Sequence, residues 1–597
     1  MTTKHTTTKH THAPPAPPAP PGTKHPGRAA AGQPALRRTR VIIAALVLAL
    51  SLAAFIDFRD AVPERLKHLI TSLQFVPSAF TLATAFHASA LACVLILVLT
   101  FFLGRVYCSM LCPLGILQDL ISRVSAIIRR APPYKLPHKK PRNILRYSIL
   151  AITLIALVAG WGGFVLAWLD PYSHFGRFAS TLFRPVVVFA NDIAAGIANA
   201  LGHPAAVPKA GVAGVAAAGA LLPPLLILAA LAIMAAFRGR LWCNTLCPVG
   251  TLLGLVSRRS LWRIGIDKAA CRKCGDCLRV CKSQCIDLRA SEIDFSRCVA
   301  CYNCVSACDT LGIKYRRKSA PPPHARAAAP GNPPPAIPNP PSENRRAFIT
   351  TATAGTLAAI GAAATLAIPA RRVAQNQATT ESPANQGGAQ GKGKGGQGQG
   401  KDRAHDYSRL DNPGVVAPPG AQSTARVLAQ CTACQLCVSA CPSHVLEPAV
   451  LHYGSFRGLM KPRLNFDKSF CNFDCAVCSR VCPNGTLLPL TKSAKHTARI
   501  GLARVAHPRC IIVRDGTACG ACAEHCPTAA LQIKETGGHS DPVPVVDERY
   551  CIGCGACQYA CPATPKAIVV DGLAKHEKAK VLVEEQVKPA TTGDFAF

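Results

Sequence analysis

The sequence predicts an α-helical membrane domain joined to α+β bacterial-ferredoxin-like iron-sulfur domains, and three observations predict it. Four separated apolar runs precede residue 240 in a chain of 597 residues that is 49% hydrophobic and only 16% charged. Of the 30 cysteines, 24 fall into six groups of four. A segment with paired arginines at both ends, Ser342 to Arg372, stands between the first cysteine-rich region and the second.

Composition sets the limits first. The 49 Pro and 45 Gly concentrate in tails and linkers that lack the apolar side chains needed to order themselves. The division that follows is a disordered tail 1–36, a four-helix transmembrane domain 37–260, a cytoplasmic two-cluster domain 261–318 and a Pro-rich linker 319–344. Next come a twin-arginine signal or anchor helix 345–372, a flexible linker 373–422, a periplasmic four-cluster domain 423–575 and a polar tail 576–597. The formal charge of +36 suggests nucleic acid, but thiolates bound to clusters are anionic and much of the basic excess flanks membrane segments. No nucleic-acid partner is expected.

The apolar runs Val41 to Phe58, Leu82 to Leu103, Tyr147 to Leu169 and Gly211 to Phe237 are each long enough to cross a bilayer. Between the second and third runs, nine Lys and Arg face the single acid Asp119, which makes that segment cytoplasmic. The stretch Thr181 to Gly202, with Arg184, Asn191 and Asp192, reads as an external interfacial helix. A fifth span there would turn the basic flank Arg238 and Arg240 outward.

A short motif repeats at the inner ends of the second and fourth spans: Cys108-x3-Cys112-Pro113-x-Gly115 and Cys243-x3-Cys247-Pro248-x-Gly250. Cysteines four apart lie on one helix face, so each copy offers two thiols, either as a redox pair or as half of a shared four-thiolate metal site. The bland alternative is a tight turn of small residues. Cys93 and Cys285 have no such partners and read as structural.

The first ferredoxin-like region carries Cys271-x2-Cys274-x2-Cys277-x3-Cys281 and Cys298-x2-Cys301-x2-Cys304-x3-Cys308. Zinc sites use pairs of cysteines separated by a long loop, whereas this spacing suits the corners of a 4Fe-4S cubane. The fourth cysteine of each run serves the neighbouring cluster in two-cluster ferredoxins. The expected sets are Cys271, Cys274, Cys277 with Cys308, and Cys298, Cys301, Cys304 with Cys281. The Pro that usually follows the fourth cysteine is replaced by Lys282 and Asp309. Four spans, two CxxxCP motifs and this domain together resemble the NapH-type membrane subunits of quinol dehydrogenases, over residues 37 to 318. Polytopic iron-sulfur proteins of the nitrous-oxide-reductase regulator and copper-reductase kinds share the CxxxCP pairs.

Beyond Arg345-Arg346-Ala347-Phe348, a weakly apolar Ala/Thr/Gly run resembles a Tat signal. It would export a domain already loaded with clusters. Four further groups follow, each ending in Cys-Pro: Cys431, Cys434, Cys437, Cys441; Cys471, Cys475, Cys478, Cys482; Cys510, Cys519, Cys522, Cys526; and Cys551, Cys554, Cys557, Cys561. Disulfides are the alternative in an oxidising compartment, but repeated quartets favour four clusters. With the fourth ligand exchanged, the sets are 431/434/437 with 482, 471/475/478 with 441, 510/519/522 with 561, and 551/554/557 with 526. Residues 342 to 575 resemble the NapG/MauM-type exported ferredoxin-like subunits.

The expected cofactors are therefore six 4Fe-4S clusters, with quinol as substrate and a possible further thiolate site at the CxxxCP pairs. The fusion implies a quinol dehydrogenase of the bacterial inner membrane, passing electrons to a periplasmic redox enzyme or cytochrome. The alternative function is an assembly or copper-reductase-like factor supplying electrons to a periplasmic metalloenzyme. No catalytic triad, phosphate loop or nucleotide fingerprint stands in a supporting context. Candidate proton acceptors for quinol are His87, inside the second span, and the pair Asp170 and His174 at the outer end of the third. Thr365-x-Ala367 and Ile368-x-Ala370 are weak cleavage sites, so the joint is expected to stay uncut. The mature protein should run as one polypeptide near 62.9 kDa; two fragments matching the halves would refute retention.

Overall fold

A computed structural model describes residues 33–59, 61–84, 91–130, 142–201, 218–317, 411–535 and 541–581. His87 and the twin-arginine segment 342–372 lie outside these residues. A helical unit comes first. Its elements are α1 (Gln33–Ile56), α2 (Glu64–Ser72), α3 (Phe75–Thr84), α4 (Leu91–Leu103), α5 (Tyr107–Met110), α6 (Pro113–Ile128), α7 (Asn143–Val158), α8 (Gly162–Leu169), α9 (Pro171–Arg177), α10 (Arg184–Ala200), α11 (Ala218–Arg238), α12 (Leu241–Thr245) and α13 (Pro248–Ser257).

Three stretches, Ala35–Ile56, Pro171–Ala200 and Gly219–Arg238, are helical, long and apolar enough to cross a membrane. Their large side chains, among them Ile42, Val186, Phe189, Leu225 and Ile233, are exposed, as a lipid-facing surface requires. Two expectations change here. The run Tyr147 to Leu169 is not one helix, because Gly160 (φ +74°) breaks it between α7 and α8. The stretch read as an external interfacial helix is helical to Ala200, and its helix begins earlier than expected, at Pro171. Wider π-type turns at Phe178–Phe183 carry the chain from α9 into α10 without a stop.

The first iron-sulfur unit follows α13. Strand β1 (Trp262–Ile266) pairs antiparallel with β4 (Ile313–Arg317), and β2 (Ile286–Asp287) with β3 (Glu292–Ile293). The second unit spans the described residues from 411 onward. In it β5 (Leu446–Pro448) pairs with β6 (Pro462–Leu464), β7 (Ala498–Val505) with β10 (Ile568–Lys578), and β8 (Leu531–Lys534) with β9 (Val543–Val546), all antiparallel. The β7 to β10 frame repeats the β1 to β4 frame: an outer pair formed by the first and last strands, with an inner pair between.

The two units sit at opposite ends of the helical unit. α11 reaches from Gly219, beside Val450 of the second unit, to Arg238, whose carbonyl accepts from Gln284 Nε2 of the first at 3.3 Å. α1 runs the other way. Arg40 lies near its start, and Phe55 at its end packs on Tyr172 and Phe175 beside Cys434. The 15 residues between Arg40 and Phe55 rise about 22 Å.

One carboxylate holds the first unit in place. Asp119 of α6 accepts from Arg40 of α1 at 2.6 Å, from Arg240 at 2.9 and 2.7 Å, and from Lys282 at 2.6 Å. All three cations are at most 3% exposed. Lys282 occupies the position where proline is usual after the fourth cysteine, which gives that departure a structural reason. Burial by itself would push the Asp119 carboxyl up, but Arg240, Lys282 and Arg40 hold it well below the usual carboxylate range. Its stabilising contribution is thus complete above the ordinary carboxylate range and is lost only as pH falls through the lowered value. Asp119→Asn leaves buried cations without their counter-charge and should cost about 3–5 kcal/mol. Thermal unfolding in detergent checks this: a midpoint equal to that of the parent would refute the tie.

Candidate iron-sulfur centres

The cysteine groups share a local backbone, and sequence explains it. In each Cys-x2-Cys-x2-Cys run the residues just before and just after the middle cysteine have positive φ: Lys273 and Gly275, Ala300 and Tyr302, Ala433 and Gln435, Gly553 and Gly555. Two left-handed residues curl the loop so that three thiols point inward, and a one-turn helix then starts immediately before the third cysteine, as in Asp276–Arg279 and Leu436–Ser439. The two stretched groups do this differently. The gap after Cys510 accommodates a separate helix, Ile511–Asp515, ended by Gly516 at φ +62°.

In the second unit, three cavities are lined by cysteines drawn from two groups each. One is lined by Cys431, Cys434, Cys437 and Cys482. Another is lined by Cys510, Cys519, Cys522 and Cys561, and a third by Cys551, Cys554, Cys557 and Cys526. The remaining cysteines come together as well: the Cys478 thiol feels those of Cys471, Cys475 and Cys441. In the first unit, Cys304 feels Cys301, Cys281, Cys298 and Cys277, and Cys277 feels Cys274, Cys271 and Cys281, so the two groups stand close together. Cys308, the expected fourth member of that last set, lies 3.6 Å from Thr310 Oγ1. Four thiols around an apolar hollow are the donor set a 4Fe-4S cluster requires, and the residues present fit one.

Cys285 lies closer to this chemistry than its isolated place in the sequence suggests. Its sulfur is 3.7 Å from that of Cys281 and it is fully buried. The thiol hydrogen bond between them lowers Cys281 and raises Cys285.

The CxxxCP motifs are not laid along one helix face as expected. Cys108 and Cys243 lie in the short helices α5 and α12, whereas Cys112 and Cys247 are the residues that cap α6 and α13, each followed by proline in the first turn. Both caps stand at helix N-termini, yet burial pushes both thiols well above the ordinary thiol range. Gly250 N–H donates to Cys247 Sγ at 3.3 Å. The glycines are required by close approach: a Cβ at Gly115 would strike the Cys108 carbonyl, and one at Gly250 the Cys243 carbonyl.

Two arginines cross between the copies. Arg105 donates to the Cys243 carbonyl at 3.4 Å and to Cys108 Sγ at 3.6 Å, and Arg240 donates to the Cys108 carbonyl. The repeat is therefore Arg-x-aromatic-Cys-x2-Leu-Cys-Pro-x-Gly, from Arg105 to Gly115 and from Arg240 to Gly250. Extending the sequence comparison three residues upstream of each first cysteine would have found both arginines. Gln118 Oε1 accepts from Cys243 Sγ at 3.2 Å.

Asp170 and His174 lie in the contact between the helical unit and the second unit, both 1% exposed. Asp170 caps α9, accepting from Ser173 N at 2.9 Å and Ser173 Oγ at 2.7 Å. Ser173 Oγ in turn lies 2.9 Å from Thr432 Oγ1, beside Cys431. His174 Nε2 meets the Trp168 carbonyl at 2.8 Å and must donate there, so Nδ1 is the acceptor for Arg177 at 3.1 Å. Both ring nitrogens are engaged, and so are both Asp170 oxygens, Oδ1 by Tyr172 N at 3.3 Å and Oδ2 by Ser173. Cys93 is buried within α4 and contacts the core of the helical unit.

Comparison with known proteins adds to this geometry. Residues 84–134 and 220–266 match a family described as 4Fe-4S binding domain, and those segments contain the two CxxxCP motifs. Residues 430–486 and 517–564 match one described as 4Fe-4S dicluster domain. The chain is 34% identical over 167 residues to the methylamine utilization ferredoxin-type protein MauM of Methylophilus methylotrophus, covering 26% of this chain and 69% of that protein. It is 27% identical over 163 residues to the ferredoxin-type protein NapF of Escherichia coli K12, covering 27% and 87%. To the ferredoxin-type protein NapH of Haemophilus influenzae it is 27% identical over 227 residues, covering 36% and 62%. No solved structure matches. Cysteine quartets around apolar hollows, 4Fe-4S family matches and a MauM relative covered over two thirds of its length together mean that the chain belongs to the MauM family of ferredoxin-type iron-sulfur proteins, within the wider Nap/Mau kind.

Proposed function

We propose that the protein is a membrane-bound electron carrier that oxidises quinol and passes the electrons through 4Fe-4S clusters to a periplasmic reductase such as nitrate reductase. The observation that carries this reading is the placement of Asp170. It is a buried carboxylate in the helical unit, linked through Ser173 to the residue beside Cys431. Buried ionisable groups are costly and are candidates for functional sites. Quinol releases two electrons and two protons; Asp170 takes one proton, the other passes to solvent, and the electrons leave one at a time towards the Cys431, Cys434, Cys437 and Cys482 cavity. Bound clusters supply one-electron storage at each quartet. The surrounding residues hold the path together: Arg177 fixes His174, and Ser180 meets Gln435 Oε1 at 2.9 Å.

The twin-arginine segment supports export of the second unit, and the NapH and MauM likenesses support a chain that combines a membrane part with a ferredoxin-like part. In vesicles containing the full-length chain, added quinol should bleach the cluster absorbance. If dithionite bleaches it and quinol does not, the reading fails. Asp170→Asn is the sharper test, because asparagine caps a helix as well as aspartate does but cannot take the proton. Quinol-dependent reduction should fall about 100-fold or more, with dithionite reduction retained. An unaltered quinol rate would remove Asp170 from the path.

A further inference from the structure

The second unit meets the helical unit through a hairpin loop whose outer side is apolar. Residues 449–461 join β5 to β6, and two backbone bonds close the loop at its base. Ala449 N–H donates to the Lys461 carbonyl and Met460 N–H to the Ala449 carbonyl, each at 2.7 Å. Within the loop, Gly454 N–H donates to the Leu451 carbonyl at 2.9 Å, and the Tyr453 hydroxyl donates to the Pro462 carbonyl at 2.8 Å. A Cβ at Gly458 would strike the Tyr453 side chain. The loop therefore holds a fixed shape.

Its two sides differ. On the inner side, Val450, Leu459 and Met460 share an apolar cluster with Ala167 and Trp168 of α8 and Ala220 of α11. Arg457 reaches the break between α7 and α8, donating to the Gly160 carbonyl at 3.2 Å and standing 4.2 Å over the Trp161 ring. Val450 meets the start of α11, where a Cβ on Gly219 would lie 3.3 Å from it. The outer side leaves Leu451 54% and Phe456 72% exposed.

Apolar residues exposed singly are ordinary on any protein surface. The place of these two is not. α11 is long and apolar enough to cross a membrane, and its first turns expose Leu222 and Leu225. α7 ends with Ile155 and Val158 exposed, and Trp161 follows. The loop is wedged between these lipid-facing surfaces at the end where both helices meet the second unit. Leu451 follows Val450 and Phe456 precedes Arg457, the residues that touch α11 and the α7 end, so the two side chains carry the apolar surface of the helices on to the second unit.

We propose that the loop 449–461 is a lipid-contacting element, in which Leu451 and Phe456 enter the boundary between phospholipid headgroups and acyl chains. Trp rings mark the membrane–water level, and Phe and Leu are side chains that interfacial elements bury there. Removing both from water favours this placement over an aqueous one. The effect reaches the thiols, because Ala433, between Cys431 and Cys434, belongs to the same apolar cluster as Val450 and Met460. The bilayer surface thereby backs the turn that gathers Cys431, Cys434 and Cys437. This inference rests on the helical unit lying in a bilayer and requires neither quinol nor a particular electron acceptor.

The test uses the full-length chain with its clusters, in vesicles of phosphatidylcholine and phosphatidylglycerol. Phe456→p-benzoylphenylalanine, irradiated and then digested for mass spectrometry, should yield a phospholipid adduct at position 456. The same substitution at Ile155, on the exposed face of α7, reports whether the helical unit is in the bilayer. At Tyr559, an exposed ring packed on Phe470 within the second unit, it reports general labelling by vesicles. Adducts at 155 and 456 with none at 559 sustain the proposal. An adduct at 155 with none at 456 overturns it, as does equal labelling at 456 and 559, or a crosslink from 456 to a second copy of the chain in place of lipid. If the variant at 456 does not accumulate, Leu451 takes the probe and the same comparison decides. Loss of the adduct at 155 would overturn the membrane placement and this inference together. Failure to oxidise quinol would leave all three adducts unaltered, so the two readings fail separately.

Discussion

The three hydrogen-bonded cations around Asp119 are the constraint on which the arrangement turns. The carboxylate joins the first helix through Arg40, the end of α11 through Arg240 and the first iron-sulfur unit through Lys282. Each of these charges would be expensive to bury by itself, and together they offset one another. Arg240 extends the tie further, since its other guanidinium nitrogen holds the Cys108 carbonyl. One side chain on α6 therefore sets the position of both Lys282, next to Cys281, and the first CxxxCP copy. Geometry at two cysteine motifs depends on one electrostatic knot.

The contact of the second unit with the helices is made differently. Hydroxyl and amide pairs, Ser173 with Thr432 and Ser180 with Gln435, do the joining, with Arg457 over the Trp161 ring at 4.2 Å and Arg480 on Glu64 at 3.0 Å. The last two are partly exposed and individually weak. Close packing contributes more: a Cβ at Gly176 would collide with the Cys434 carbonyl and the Phe55 ring. Glycine there lets α9 lie directly on the loop that carries three of the thiols.

The cysteine quartets were legible because their chemistry is local: the turn that gathers three thiols is made by seven consecutive residues. The pairing of copies was half legible. The repeated CxxxCP was plain, but the flanking Arg105 and Arg240 look like ordinary basic flanks until each is seen to reach the opposite copy, 138 and 132 residues away. Asp119 likewise reads as one acid in a basic loop, since its partners lie 79, 121 and 163 residues distant. Apolar runs located the helices but not their ends. Gly160 split one run, and the helix through Ala200 continued from α9 because nothing at Phe178–Phe183 stops it. Its polar residues suggested an interface, whereas Asn191 accepts from Arg59 beyond the end of α1.

Between the last described residue of the first unit and the first of the second lie about 90 residues, which fully extended would reach about 300 Å. That is many times the separation of the two seats along α1. Length therefore sets no geometric limit on where the second unit sits, and its buried contacts with the helical unit decide the position. Covalent attachment changes what those contacts must achieve. Confinement within one chain raises the effective concentration of one partner at the other. The contact therefore stays formed with less binding energy than two separate proteins would need.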